Sequence, residues 1–480
     1  MFWEIEMSNA EIGLIGLGVM GSNLALNIAE KGFHVAVYNR NFDVTREFKA
    51  NAGKLSDFII PCETLQDLAA AIRPPRPVII MITAGNPVDQ VIGQLRKVLT
   101  NNDIIIDAGN ANFHDTVRRF NELDGSGLTF IGMGVSGGAE GARHGPSIMV
   151  GGTEASYMRV ENVLTAIAAK YKKEACCAWL GPNGAGHFVK TIHNGIEYAD
   201  MQMISEVYGI MRDGLGMKAK DIGKVFEKWN KGRLNSYLIE ITAKVLDVTD
   251  AKTRRPLVDI ILDRAGQKGT GKWAVIEAQN LGVPATTLEA AVAARVLSSM
   301  KTEREAAEKA YKIPRKKIPA KSKAAVLRQL EAALYAGKIA AYAQGFAVME
   351  GASKDFTWNI PLGTVAKIWR EGCIIRSQFL GLITQAFSKN GGKGNLLMAP
   401  AFMKMMKESH AALRVIVAHG AMIGAPVPAL SSALSYFDAY RQARGTANLI
   451  QGQRDFFGAH SFERIGEQGA FHGPWGDGTQ

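Results

Sequence analysis

Cysteine is scarce in this 480-residue chain: Cys62, Cys176, Cys177 and Cys373 are all there is, and two of them are adjacent. Four thiols so arranged offer no disulfide framework, so a reducing compartment is expected. No CxxC or HExxH spacing occurs, which removes the usual zinc patterns, and no metal is expected. No apolar run approaches the roughly 18 residues of a spanning helix, so no membrane partner is expected. The opening Met-Phe-Trp-Glu-Ile-Glu lacks the basic stretch of a secretory signal, which makes the cytoplasm the expected location. Acid is also in short supply, with 45 Asp and Glu against 56 Lys and Arg; the formal charge of +11 points to anionic partners.

At 51.9 kDa and 47% hydrophobic, the chain exceeds what one core usually serves, and two or three domains are expected. From Glu11 to about Pro182, short apolar runs bounded by Gly, Pro and Asn alternate with helical segments. Ile12–Ile15, His34–Tyr38, Val78–Ile82, Ile104–Asp107, Thr129–Gly132 and Ser147–Val150 read as strands of a doubly wound, largely parallel sheet. Beyond Asn183 the texture becomes Ala-, Leu-, Glu- and Lys-rich, with helices expected over Phe188–Arg212 and Ala324–Glu350. The expected division is 1–183, 184–444 and a tail, 445–480. Lys190-Thr-Ile-His-Asn and Lys338-Ile-Ala-Ala-Tyr, about 150 residues apart, make a candidate internal duplication. The tail holds Phe456, Phe457, Phe462, Phe471 and Trp475, aromatics expected to pack on a second subunit.

Gly16-Leu-Gly18-Val-Met-Gly21 follows the first strand and opens a helix, the setting in which GxGxxG means dinucleotide binding. Gly16 permits the tight turn, Gly18 lets backbone approach a pyrophosphate, and Gly21 lets helix and strand close up. A Rossmann-type domain follows. The second strand ends in Asn39-Arg40-Asn41, without the acid that would bind an NAD ribose, and Arg40 suits a 2′-phosphate; NADP is the expected cofactor.

Two further clusters follow strands at the sheet's carboxyl edge: Asp107-Ala-Gly-Asn110 and Ser136-Gly137-Gly138. The second offers a hydroxyl and unhindered N–H groups to a carboxylate, although a flexible linker would read alike. On a helix, Lys190, Asn194 and Glu197 fall at i, i+4 and i+7 with His193 and Tyr198 beside them, while Val189, Ile192 and Ile196 turn to a core. An exposed amphipathic helix with one Lys–Glu pair has the same periodicity.

The ordered set GLGVMG, NRN, IIDAGNANFHDTVRR, GVSGGAEGARHGPSIM, GHFVKTIHNGIEYADMQ, WNKGRLNSYLIEIT, AGQKGTGKW, WREGCIIRSQFL and ANLIQGQRDFFGAH resembles the decarboxylating 6-phosphogluconate dehydrogenases from about Glu11 to Arg464. The resemblance implies an NADP domain, a large all-helical domain and a tail that threads the partner of a homodimer. It implies Lys190 as base and then acid, and Glu197 as the acid that protonates the product carbon. It implies that Asn110, Ser136, Gly137, Gly138, His193, Asn194 and Tyr198 hold the sugar acid, that Lys268, Thr270 and Arg295 hold its phosphate, and that Arg454 and His460 reach in from the other subunit. The cofactor would be held by Gly16, Leu17, Gly18, Val19, Met20, Gly21, Asn39, Arg40, Asn41, Ile82, Thr83, Ala84 and Asn110.

Departures from the family pattern lie near the cofactor: Thr83 for a usual lysine, Asn41 for threonine, Gly18 for alanine. Elsewhere Ala139 stands for glutamate, Gly445-Thr446 for Leu-Pro and Phe456 for tyrosine. The alternative within the class is another NADP-dependent β-hydroxyacid dehydrogenase, whose unphosphorylated substrate would have no use for Lys268, Arg295 and Arg454. A non-catalytic NADP sensor or a nucleic-acid binder is the alternative from another class, the latter resting on the run from Tyr311 to Lys323. That run reads better as a solvated interhelical loop, because prolines break it and no aromatic platform follows; no nucleic-acid partner is expected. Lys301–Lys323 carries nine Lys or Arg against three Glu, so more than half the net charge sits where no ligand site is evident.

Overall fold

The computed structural model describes residues 10–267, 269–319, 322–389 and 394–475. Runs of Ile, Val and Leu in the first third form strands β1 (Ile12–Ile15), β2 (Val35–Tyr38), β3 (Ile59–Cys62), β4 (Pro77–Ile80), β5 (Ile104–Asp107), β6 (Thr129–Val135) and β7 (Ile148–Gly151). After the small hairpin β8 (Lys170–Tyr171) and β9 (Glu174–Ala175) comes β10 (Cys177–Gly181). Eight strands make one sheet in the order β10-β7-β6-β5-β4-β1-β2-β3, parallel except where β7 runs against β6. The β1, β4 and β5 strands are buried throughout, as a sheet covered on both faces requires. Strand order, not strand direction, reverses between β1 and β4, and open α/β sheets bind ligands at the carboxyl end of such a crevice.

All six expected strands form within a residue or three of their expected bounds. Two sheet strands were not expected. β3 contains Pro61, which removes a ladder donor, and it sits at one edge of the sheet where that donor is not needed. β10, Cys-Ala-Trp-Leu-Gly, sits at the other edge and has too little β-branched character to stand out.

One buried cation pins the carboxyl edge. Arg119 donates from Nε to Asp89 Oδ1 (2.7 Å), from Nη1 to Asp107 Oδ2 (3.1 Å) and from Nη2 to the Gly85 carbonyl (3.0 Å). It thereby joins the loops after β4 and β5, while Asp107 Oδ1 accepts from the Gly109 N–H.

Beyond β10 the described elements are almost all helical. The helix Ala185–Gly209 (25 residues) packs against the sheet at β6 and β7 and against the 33-residue helix Lys323–Asp355. The two segments of the candidate duplication lie on these two helices. Gly345 and Gly337 of the longer helix face Ile196 and Met203 so closely that a Cβ would stand 2.5–2.6 Å away, which explains glycines inside a helix. Glu206, near the end of the Ala185–Gly209 helix, accepts from the N–H groups of Ala429 and Leu430, capping the helix Pro428–Tyr440.

The basic stretch differs from its expected form. Lys301–Tyr311 is a helix with no buried residue, because Glu and Lys alternate at helical spacing with alanine. The irregular part that follows is tethered: the Lys316 and Ile318 N–H groups bond the carbonyls of Ile423 and Gly214, and Ile318 is buried.

By internal contacts the chain divides into Met1–Ala433 and Leu434–Gln480. In the second unit, the helix Ala447–Gly458 presents Asp455, which accepts from Ser461 N, Gly473 N, His472 Nδ1 and Trp475 Nε1 and so folds the following chain back. Leu449, Ile450, Phe456 and Phe457 stay exposed.

Replacing Arg119 by Met strands the buried Asp107 carboxylate. Breaking a buried pair on one side costs about 3–5 kcal/mol, so a clear fall in the urea or thermal unfolding midpoint is expected.

Candidate active site

The dinucleotide end is shaped by backbone. Gly16 has φ +100°, and a Cβ there would stand 2.5 Å from the Met81 carbonyl oxygen; one at Gly21 would stand 1.8 Å from the Gly16 oxygen. Gly18 is different: nothing lies within 4 Å of its Cβ position, and it opens on free space. The helix Val19–Glu30 begins without a side-chain cap and with no acid in its first turn, so its N–H groups face outward together with exposed Val19 and half-buried Met20. A pyrophosphate fits this cradle by charge and by room.

Asn39 Oδ1 accepts from the Leu17 N–H (3.3 Å), tying the end of β2 to the glycine turn. Asn41 Oδ1 accepts from Asp43 N and caps the helix Phe42–Ala50, so its side chain serves the fold first. Arg40 is exposed and has no ion-pair partner among the described residues. Ile82, Thr83 and Ala84 form the loop after β4, with Thr83 exposed, and Asn110 is exposed at the end of the neighbouring loop.

Across the crevice lies the Ala185–Gly209 helix. It is not the half-exposed amphipath its periodicity allowed, since Lys190, His193, Asn194 and Tyr198 are buried along with Val189, Ile192 and Ile196. Lys190 reaches the sheet because Gly134 leaves room; a Cβ at 134 would touch Lys190 Cβ at 2.5 Å. Among the described residues Lys190 has no hydrogen-bond or ion-pair partner. Burial lowers its pKa below the usual lysine value, opposed by the charges of Glu197 and Cys373. Glu197, with a fifth of its side chain still exposed, moves the other way, because burial raises its carboxyl pKa more than Lys190 and Arg295 lower it.

His193 links the two sides. Its Nε2 lies 3.2 Å from Ser136 Oγ, its Nδ1 lies 3.1 Å from Asn194 Oδ1, and Glu197 Oε2 is 3.8 Å away. Burial and the nearby Lys190 hold the imidazole well below its ordinary pKa, so it is neutral. Ser136 is followed by Gly137 (φ +104°) and Gly138 (φ +63°), a turn a flexible linker would not hold. Gly137 packs on the Gly372 carbonyl, where a Cβ would meet it at 2.6 Å.

The remaining expected contacts divide. Thr270 is buried at the start of the helix Thr270–Asn280, whose Gly271 lies against the Tyr198 ring. Arg295 stacks over that ring at 3.6 Å, a cation–π contact. Tyr198, about two turns beyond Lys190, therefore has the start of the Thr270–Asn280 helix on one side and Arg295 over its ring. Lys268 lies outside the described residues. Arg454 and His460 belong to the second unit, where both are exposed and Arg454 donates to Gln451 Oε1.

Some neighbours carried no expectation. Cys373 lies in the electrostatic field of Lys190 and its thiol donates to the Trp369 carbonyl, while Trp369 sets its ring edge-on to His193 at 5.4 Å. His187 bonds Thr116 Oγ1 at 2.7 Å beneath β6. The runs WREGC and GHFVK signalled these segments, but only three-dimensional packing shows what they touch. No group of three His, Cys, Asp or Glu among the described residues is placed to hold a metal ion.

Two family models match consecutive parts of the chain: the NAD binding domain of 6-phosphogluconate dehydrogenase over residues 11–181, and the 6-phosphogluconate dehydrogenase C-terminal domain over 186–475. The chain belongs to the 6-phosphogluconate dehydrogenase family. It is 47% identical over 468 residues (97% of this chain, 99% of the relative) to the NAD(+)-dependent, decarboxylating 6-phosphogluconate dehydrogenase of Bacillus subtilis. It is 48% identical over 466 residues (97% and 99%) to the decarboxylating 6-phosphogluconate dehydrogenase of Staphylococcus aureus strain N315. Among solved structures, the Plasmodium falciparum 6-phosphogluconate dehydrogenase, determined apo, with NADP+ and with 6-phosphogluconate, superposes with a TM-score of 0.93 at 40% identity, covering 97% of this chain and 100% of that one.

For this 6-phosphogluconate dehydrogenase family member, the two glycines of the turn separate sharply. Gly18→Ala is expected to keep cofactor affinity within about threefold, whereas Gly21→Ala forces backbone apart at a cost of about 1–3 kcal/mol, or roughly 5- to 150-fold in affinity. Titrating each variant with NADPH by fluorescence checks this.

Proposed function

We propose that this protein oxidises 6-phosphogluconate with NADP and decarboxylates it to ribulose 5-phosphate and CO2. The observation that carries the reading is a desolvated, unpaired Lys190 on the same helix face as a Glu197 whose pKa is raised, opposite the Ser136 turn. When bound, the nicotinamide accepts the hydride from C3.

The protein's own groups handle protons. Neutral Lys190 takes the C3 hydroxyl proton, which a fully solvated lysine could not do near neutral pH. Protonated, it then donates to the keto oxygen, so that charge building there is stabilised while the carboxylate leaves as CO2. Glu197 gives its proton to the carbon that becomes C1 of the product as Lys190 recovers the enol proton. The surplus on Lys190 and the vacancy on Glu197 then cancel by one proton transfer. Neutral His193, turned toward Ser136 and Asn194, holds substrate oxygens together with Asn110, Gly137, Gly138 and Tyr198. Thr270 at a helix N-terminus, Arg295 and Lys268 receive the phosphate.

NADP, rather than NAD, is favoured by Arg40, a free guanidinium where an NAD site would carry an acid. The Bacillus subtilis relative bears an NAD(+)-dependent name, so both cofactors belong in the assay. The domain division proposed is 1–183, 184–444 and 445–480. The reading includes a cytoplasmic homodimer in which Arg454 and His460 complete the partner's site; the exposed apolar face at Leu449, Ile450, Phe456 and Phe457 supports it.

Steady-state turnover with 6-phosphogluconate, following NADPH and CO2, tests the activity, and turnover of gluconate at a comparable rate would overturn it. Lys190→Met is expected to abolish hydride transfer while NADP still binds, and Glu197→Gln to slow turnover while leaving the cofactor site intact.

The tail exchange has its own test. Lys190→Met and Arg454→Ala subunits, each inactive alone, should regain about a quarter of wild-type activity when mixed and allowed to exchange, since half the dimers then hold one intact site. No recovery in exchanged dimers would remove Arg454 from the partner's site.

A further inference from the structure

Below Glu197 the structure buries a complete ion pair. Lys338 Nζ, in the middle of the Lys323–Asp355 helix, lies 2.6 Å from both Asp200 oxygens, and the side chains are 0% and 2% exposed. Such a pair returns little stability, because desolvating two charges cancels most of their attraction; apolar residues of similar size often do as well. Its placement is more informative. Asp200 follows Glu197 by three residues on one helix, so the two carboxyl groups are neighbours on one face.

We propose that Asp200 and Lys338 are positioning residues for Glu197: Lys338 neutralises the carboxylate next to the acid, so that the field at Glu197 is set by the groups that face the substrate. The proposal rests on Glu197 being the acid that protonates carbon. The groups facing Glu197 are Lys190, His193 and Asp200 on its own helix and Arg295 from the helix Thr286–Ser299. Tyr342, one turn along from Lys338, faces Asp200 and is occupied by donating to the Ile375 carbonyl. Lys338 is thus the cation that meets Asp200 directly. Without it, a bare carboxylate one turn away would hold a proton on Glu197 to higher pH. Without Asp200, the lone ammonium would strip that proton at lower pH.

The test is exchange of the C1 hydrogen of ribulose 5-phosphate with D2O, followed by proton NMR across pH in the presence of cofactor. Exchange begins with proton removal by the Glu197 carboxylate, so its acid limb reports when Glu197 ionises. Glu197→Gln should erase that limb; if the limb persists, the assignment of Glu197 fails and not the pair. With the limb assigned, Lys338→Met should move it up by about one pH unit and Asp200→Asn down by about one. Asp200→Asn/Lys338→Met should return it to the wild-type position, and Lys338→Arg should leave it there. Should the single variants fail to fold, Asp200→Lys/Lys338→Asp keeps a buried pair with its charges exchanged and should move the limb down. A limb unmoved in the single variants, or in the exchanged pair, overturns the proposal.

Discussion

A lysine kept out of water with no partner among the described residues is the constraint around which this molecule is arranged. An ammonium in such a place is costly, and the structure does not offset the cost with a carboxylate in contact; it lets the proton affinity fall instead. That choice needs a site sealed from both layers. Gly134 of β6 lets the lysine stem lie flat on the sheet, and the Trp369–Cys373 segment closes the site from the helical side. The same seclusion raises the Glu197 pKa and lowers that of His193, so one burial shifts all three groups together.

Seclusion requires rigid neighbours. The Ala185–Gly209 helix is held at its sheet end by close packing of Gly186 on Gly132 and Gly151, in its middle by Gly345, and at its far end by the Glu206 cap on Ala429 and Leu430. Opposite, Arg119 fixes the loops after β4 and β5 relative to each other. The helix that carries Lys190 and the carboxyl edge of the sheet are therefore each braced by a buried charged or capping residue outside that cluster. Such residues hold distances that loops alone would let drift by more than chemistry tolerates.

Much of this was legible in residue order. The strands β1, β2, β4, β5, β6 and β7 announced themselves because strands of a sheet covered on both faces are mostly buried apolar runs, and the glycine turn announced itself because only glycine fits beside Met81 and beneath the helix. The edge strands β3 and β10 did not, since pairing on one side alone tolerates Pro61 and a Cys–Trp run. The helix carrying Lys190 and Glu197 was legible as a helix with its polar face, but periodicity could not distinguish a solvated face from a buried one. The basic stretch erred the other way: half of it is a helix with no buried residue, and the irregular part that follows is pinned by Ile318.

The sequence by itself determined the sheet, the dinucleotide turn and the identity of the polar residues on one helix face, because these follow from local periodicity and from steric demands within a few residues. Tertiary structure alone decided their chemistry. Proton affinity depends on how much water and charge surrounds a group; beside Glu197 of its own helix, Lys190 meets residues 134 and 373, too far away in the chain for any local pattern to bring to it. The Asp200–Lys338 pair spans 138 residues and appears in the sequence only as two ordinary charges on two helices.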